Sequence, residues 1–263
     1  MRTLLNKHIQ AAQAAQFRSI AGGSFELMPD WARGFSGLHQ PIFNIFWPFN
    51  PAGLTDDILA DTAAFFSSRS ALYAVEIIHD ALPHGPDYLH QRRYTALPPQ
   101  PAMLCDLLPA SAPTHPDVIV EPVKTVPGIS AFCSLQNQIF DFDLQDMRRR
   151  FPVAQLKEPR ISHFLAFVNE TPVGCGTVIL TNGVASVWNV GTLDDYRGRG
   201  VGSTLLRHML VAAAQRGGES AMLFSTAQAF NFFSGHGFEI FTQRQWFLPQ
   251  NIEFEADSQD FAA

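Results

Sequence analysis

The chain has 263 residues, a formal net charge of −6, 46% hydrophobic residues and only 16% charged ones. That length and composition fit one large or two modest globular domains with ample core, and exclude a disordered or low-complexity protein. The acidic balance argues against nucleic acid or an anionic membrane as the main partner, since both demand clustered positive charge. Cys105, Cys133 and Cys175 are odd in number and far apart. They imply buried free thiols in a reducing, cytoplasmic setting rather than a disulfide framework or a zinc site.

From the N-terminus, Met1 to Ile20 has basic residues and no acids, as transit peptides do. It lacks a signal-peptide core, and Leu4, Leu5, Ile9, Ala12 and Phe17 at helical spacing read as an ordinary amphipathic helix. Ala21-Gly22-Gly23 breaks it. Gly34 to Thr55 is uncharged but carries Pro41, Pro48 and Pro51, which rule out a membrane-spanning helix. Ser36 to Pro41 is turn-like, and Ile42 to Trp47 reads as a short strand. The aromatic run Phe43, Phe46, Trp47 and Phe49 reads as packing between domains. Thr55 is a good N-cap for a helix reaching about Arg69, with Ile58, Leu59, Thr62, Phe65 and Phe66 as its buried stripe. A strand at Ala71 to Ile78, a short helix at Asp87 to Arg93 and a strand at Ala102 to Leu108 follow. His79, His84 and His90 are spread over a strand end, a loop and a helix, which is no metal-site geometry.

Residues 109–116 (Pro-Ala-Ser-Ala-Pro-Thr-His-Pro) have linker composition. The expected division is therefore 1–110, a linker at 109–116, a second domain at 117–250 and a polar tail at 251–263. The second domain opens with a strand at Val118 to Val123. Ser130 to Arg150 is helical in two pieces and ends in Arg148-Arg149-Arg150, read as a solvated C-terminal cap, with a face toward an acidic substrate or a cofactor 3′-phosphate as the alternative. A meander follows: His163 to Val168, Val173 to Leu180, and Val184 to Leu193. Asn182-Gly183 makes a tight hairpin between its last two strands, because both residues accept positive φ. Val201 to Arg216 is a helix stopped by Gly217-Gly218. Ser220 to Ser225 is a strand, Ala227 to Ser234 a short helix, and Phe238 to Leu248 the last strand.

Tyr196-Arg197-Gly198-Arg199-Gly200-Val201-Gly202 lies between the third meander strand and the helix that follows it. A glycine-rich strand-to-helix turn lets backbone N–H groups converge on an anion, and the helix N-terminus adds partial positive charge. A Walker A loop needs a lysine that is absent. A dinucleotide fingerprint would place its third glycine on Ser203. The spacing present is Arg-x-x-Gly-x-Gly.

That motif resembles the acetyl-CoA pyrophosphate loop of the GNAT (Gcn5-related N-acetyltransferase) superfamily. The order of elements over Val118 to Pro249 is similar to the GNAT topology, and Gly237-Phe238 matches the Gly-Phe after its short helix. The first half also looks related. It resembles the degenerate N-terminal half of two-domain bacterial GNAT proteins, since it lacks Arg-x-x-Gly-x-Gly. The implied fold class is α/β (α+β): tandem GNAT-like domains, each a mixed, mostly antiparallel twisted sheet flanked by helices.

The resemblance implies acetyl-CoA as co-substrate, with no metal, and Val190, Gly191, Thr192, Arg197, Gly198, Arg199, Gly200, Val201, Gly202 and Ser203 as the residues that bind it. It implies acetyl transfer to an amine of a small molecule or peptide by direct attack, in a monomer or homodimer with no nucleic-acid or membrane partner. A backbone N–H of Val190, Gly191 or Thr192 would polarise the thioester carbonyl, and no catalytic triad is needed. The usual base, often a Glu on the strand before the loop, is replaced by Trp188 and Asn189. The usual tyrosine, counted four residues before Gly237, is Phe233, which cannot donate a proton. Asn189 and Ser225 are the candidate catalytic residues, with Ser234, Tyr196 and His236 as further donors. The alternative reading is a non-catalytic acyl-CoA-binding sensor or partner-binding module.

Overall fold

The computed structural model describes residues 2–107 and 115–250, without the side chains of residues 2–9. The expected linker falls almost wholly outside these residues, and the tail 251–263 falls outside them entirely. In chain order the first half contains α1 (Arg2–Ser19), β1 (Ser24–Leu27), β2 (Trp31–Phe35), β3 (Ile45–Pro48), α2 (Asp56–Ser67), β4 (Ala74–Ile78), α3 (Gly85–Gln91), β5 (Thr95–Ala96) and β6 (Gln100–Asp106). The second contains β7 (Ile119–Pro122), α4 (Val126–Phe140), α5 (Leu144–Arg150), β8 (Ile161–Val168), β9 (Thr171–Thr181), β10 (Val184–Thr192), α6 (Val201–Gln215), β11 (Ser220–Phe224), α7 (Phe230–Ser234) and β12 (Glu239–Leu248).

All twelve strands join one sheet, ordered β1-β2-β3-β4-β12-β6-β11-β10-β9-β8-β7, with β5 attached to β12. Among the described residues only β3 with β4 and β10 with β11 run parallel. Each half repeats one order: an antiparallel meander, a helix, a strand parallel to the meander's third, a short helix, and a closing strand. The closing strands are exchanged. β12 pairs with β4, β6 pairs with β11, and β6 and β12 pair with each other at the centre. The two halves therefore share a continuous sheet rather than meeting only through side chains.

Local chemistry explains most of the elements. Thr55 caps α2 as expected, its hydroxyl accepting from Ile58 N at 3.4 Å. Thr125 caps α4 through Gly128 N at 3.2 Å. Asp141, in left-handed conformation at φ 53°, separates α4 from α5. The β9–β10 hairpin has positive φ at both Asn182 (52°) and Gly183 (75°), as the dipeptide predicts.

The sequence reading places no strand at β1 or β2, and the strand after them starts later than expected. β1 and β2 carry no clear alternation, and β2 holds its charge inside. The Arg33 guanidinium is nearly buried between Glu26 and Asp61, each at 2.7 Å. The strand expected from Ile42 begins at Ile45, because Pro41–Phe43 forms a 3-10 turn. The buried Asn44 amide enforces this break. Its Oδ1 accepts from Ser36 N at 2.9 Å and its Nδ2 donates to Leu38 O and Leu72 O at 2.9 and 3.0 Å.

The meander β8–β10 is covered on both faces. Alternate residues of β9 point to opposite sides, so Gly174 and Gly176 face Val201 and Met209 of α6, while Cys175 packs toward α4 in a cluster with Phe132 and Leu135. α1 joins α4 on that second face through Ala12 and Ala15 against Ile161 and Ile179. An element from the first half thus roofs the sheet of the second.

Candidate active site

The site is built where the sheet divides. β10 pairs with β11 only through Val184–Ser186 against Ser220–Met222. Beyond that point β11 stays with β6 as far as Phe224. The outer edge of β10 from Val187 to Thr192 is left without a strand beside it. On its other edge β10 carries a β-bulge: Trp188 pairs with Thr177 and Gly191 with Cys175, so Asn189 and Val190 together oppose Gly176 alone. Such a bulge disrupts the local ladder and re-aims the residues within it. Asn189 takes the left-handed conformation at φ 56°.

The bulge is braced from α4. Gln136, fully buried, donates from Nε2 to Asn189 O at 3.4 Å and to Cys175 Sγ at 3.0 Å. Burial pushes the Cys175 thiol up to about 12, so it is a neutral packing group. Gly191 permits the close approach of this helix: a Cβ there would lie 2.6 Å from Ile139 Cγ2 and 2.7 Å from Phe140 Cζ.

Past the bulge the chain makes a 3-10 turn at Asp194–Tyr196 and enters the glycine loop. Gly198 and Gly200 both have left-handed φ, 74° and 77°. Gly200 is the N-cap of α6, and no side chain caps that terminus. Its first-turn N–H groups have no intrahelical acceptors, and they stand beside an open groove with about 440 Å³ of free volume. Of the ten residues expected to bind the cofactor, all but Arg199 line this groove. Arg199 instead lies over the Tyr196 ring at 5.4 Å. Arg197 is half-exposed, donating to Thr192 O at 3.3 Å and pairing with Asp194 at 2.9 Å.

The candidate catalytic residues are placed differently. Ser225 is fully buried, and its hydroxyl donates to Thr226 O at 2.8 Å. It does not reach the groove; Thr226 does. Both residues lie past the end of β11 at Phe224, where the chain leaves the strand. Phe233 is 2% exposed and packs against Phe238, while its neighbour Phe232 faces the groove. His236 donates from Nδ1 to Phe232 O at 2.7 Å and is a turn residue. Of the possible donors, Tyr196 alone lines the groove.

Asn189 lies on the other side of the bulge, at a second and smaller opening of about 60 Å³ on the seam between the halves. Glu76, Arg150, Trp188, Arg244 and Trp246 line it with Asn189. Glu76 Oε2 accepts from Trp246 Nε1 at 2.8 Å and lies 3.6 Å from Arg244 Nη1. Arg244 is boxed by the Phe224 and Trp246 rings at 4.0 and 4.1 Å. Arg150 is not a solvated cap. It lies over Phe43 at 4.2 Å and is partly enclosed, and burial draws its pKa down to about 10. Of the aromatic run expected between the domains, Phe43 meets Phe142 across the seam. Phe46 belongs to the core beneath α2 instead, and Trp47 packs with Phe17 of α1. Glu76 escaped the sequence reading, although a lone charge inside the run Ala74-Val75-Glu76-Ile77 is the mark of a buried functional or paired carboxylate.

His163 is structural. It is 2% exposed, sits between Thr177 Oγ1 and Gln155 Oε1, both at 2.9 Å, and its burial lowers its pKa to about 3. Among the described residues no three His, Cys, Asp or Glu side chains are placed to share a metal ion.

A split mixed sheet, a bulged strand at the split and an uncapped helix entered through a glycine loop define an acyltransferase-type fold of the GNAT kind. Residues 130–238 match the Acetyltransferase (GNAT) family. Over 95 residues it is 27% identical to the uncharacterized N-acetyltransferase YjcF of Bacillus subtilis (strain 168), which spans 36% of this chain and 67% of that protein. Its fold is similar to a GCN5-related N-acetyltransferase from Kribbella flavida, with a TM-score of 0.74 at 18% identity, covering 95% of this chain and 96% of that one. It is also similar to a tandem GNAT protein from the clavulanic acid biosynthesis pathway, with a TM-score of 0.63 at 11% identity, covering 95% and 97%.

Proposed function

We propose that the chain is an acetyl-CoA-dependent N-acyltransferase that moves an acetyl group to an amine by direct attack. The observation that carries this is the uncapped N-terminus of α6, entered through Gly198 and Gly200 and opening on a groove that runs to the β10 bulge. Its amide donors and helix dipole suit a diphosphate. In this reading the first-turn amides of Val201, Gly202 and Ser203 hold the diphosphate, with Arg197 and Arg199 adding charge. The bare edge of β10 at Val190 to Thr192 takes the pantetheine arm by strand pairing. The cofactor supplies an activated thioester. The protein's part is to orient it and to offer backbone N–H groups at the bulge where negative charge develops.

The first half is, on this view, a second GNAT-like unit without a glycine loop, divided from the catalytic unit at 109–116. The repeated order of elements and the exchange of β6 and β12 support that division. The separate thiols support a cytoplasmic setting. The test is release of thiol from acetyl-CoA with a broad panel of amines, run beside calorimetric binding of CoA. Amine-dependent release is expected; binding without release across the panel argues for the second reading.

That second reading is a non-catalytic acyl-CoA sensor. It is favoured by one feature: Phe233, at the expected proton-donor position, has no proton to give, and neither has Phe232, which faces the groove. A general acid contributes about 10²- to 10⁴-fold, so turnover without one is expected to be slow unless Tyr196 substitutes.

A further inference from the structure

The seam opening has features that the cofactor does not use. The bulge places consecutive residues on two different openings, with Val190 on the cofactor groove and Asn189 on the seam. A group entering from the seam therefore reaches the same turn of backbone that the thioester would reach from the groove. The seam holds about 60 Å³. One water needs about 10–15 Å³ on this measure, so there is room for the reacting end of a small molecule.

Its polar groups are unbalanced. Glu76 is 1% exposed, and its Oε1 has no hydrogen-bond partner among the described residues, although Oε2 is engaged by Trp246. Asn189 is 6% exposed, and its Nδ2 has none either. Unpartnered polar atoms this deeply buried are costly, and such groups are nearly always satisfied by something. The charges are unequal as well. Arg244 and Arg150 stand against the single carboxylate Glu76. Arg244 is held by Gln100 at 2.8 Å and by Glu76. Arg150 has ring contacts with Phe43 and Phe151 but no ion pair among the described residues. A simple cationic amine would satisfy Glu76 and leave Arg150 uncompensated.

We propose that the seam pocket receives the acceptor as an amine that also bears a carboxylate, Glu76 taking the amine end and Arg150 the carboxylate. This rests on the acyltransferase reading above. Glu76 Oε1 accepts one proton from the ammonium. The freed amine attacks the thioester carbonyl, forming the C–N bond. As the adduct collapses the C–S bond breaks, and the second nitrogen proton passes to the departing sulfur. The products are the N-acetyl amino acid, the free thiol of CoA, and one proton that leaves Glu76 for solvent. The amide that forms carries no charge, so Glu76 no longer holds it, which favours release.

The experiment measures kcat/KM with acetyl-CoA for α-amino acids and for the same amines lacking the carboxylate, alongside calorimetric binding of CoA. Wild type is expected to prefer the carboxylated series by about 10- to 100-fold, mainly in KM, the range for a hydrogen bond to a charged group. Arg150→Met keeps the stem over Phe43 and is expected to abolish the preference, and Arg150→Lys to restore part of it. Glu76→Gln is expected to lower kcat by about 10²- to 10⁴-fold near neutrality, with the gap closing as the pH approaches the pKa of the amine. A merely structural role would not produce that pH-dependent recovery.

Equal use of both series by wild type, or a preference unchanged in a folded Arg150→Met protein, overturns the inference and leaves the acyltransferase reading intact. CoA binding without turnover of either series overturns it too. Failure to bind CoA at all removes the cofactor reading itself.

Discussion

Replacing Gly202 by glutamate separates folding from cofactor binding, because the two effects have opposite signs. Gly202 is the second residue of α6, and a Cβ there would sit 3.5 Å from the Phe232 ring and from Thr192 Oγ1, which is ordinary contact. The new side chain therefore fits. An acidic group in the first turn of a helix is worth about 0.3–1 kcal/mol, and exchange of a helical glycine adds a comparable amount. The free protein is thus expected to melt no lower than wild type and up to about 4 °C higher. The carboxylate enters the groove where a diphosphate would lie. Two phosphate charges at about 5 Å, in an effective dielectric of about 40, repel it by about 3 kcal/mol, roughly a 100- to 200-fold loss of affinity. Differential scanning fluorimetry of the free protein and isothermal titration with CoA read the two quantities separately. A folded Gly202→Glu protein that binds CoA within about threefold of wild type would refute the assignment of this loop as the diphosphate cradle.

Three further outcomes follow from the geometry. Gly200→Ala forces an L-residue to φ 77° and is expected to cost about 1–2 kcal/mol in denaturant unfolding; no loss would mean the loop relaxes out of the left-handed conformation. Gly191→Ala drives a methyl against Ile139 and Phe140 and is expected to cost about 1–3 kcal/mol by overpacking, with weaker CoA binding because Phe140 lines the groove; an unchanged midpoint would contradict the close packing of α4 on the bulge. His163 has a folded pKa of about 3 against 6.5 for the free side chain, so its contribution is fully present above pH 6.5 and is lost as the pH falls toward 3. By pH 5 the loss is about 2 kcal/mol. His163→Gln is expected to flatten the stability profile between pH 7 and 5, and an unaltered slope would remove His163 as its source.

The recognisable parts of this chain are those whose chemistry is local. Asn182-Gly183 needs only two residues to specify its turn. Thr55 and Thr125 both cap helices in the structure, though only the first was expected. Arg197 to Gly202 carries the glycine loop in contiguous sequence, which is why the turn into α6 was legible before any tertiary structure. Counting along the chain worked less well for side-chain direction. Ser225 and Phe233 each point away from the groove, while their neighbours Thr226 and Phe232 face it. Ser225 lies beyond the end of β11, and on α7 a one-residue step turns a side chain by about 100°.

The seam was out of reach for a different reason. Glu76, Arg150, Asn189 and Arg244 come from β4, α5, β10 and β12, and nothing in their sequence separation ties them together. They meet because β12 crosses to pair with β4 while β6 takes its place beside β11. The sequence by itself determined most of the succession of elements, the resemblance to the GNAT family and the glycine turn before α6, since periodicity, turn chemistry and glycine spacing act over a few residues. Only the tertiary structure decided which closing strand belongs beside which sheet, and with it which charges share a buried space. Strand exchange is a long-range choice whose energy lies in hydrogen bonds and packing between distant segments.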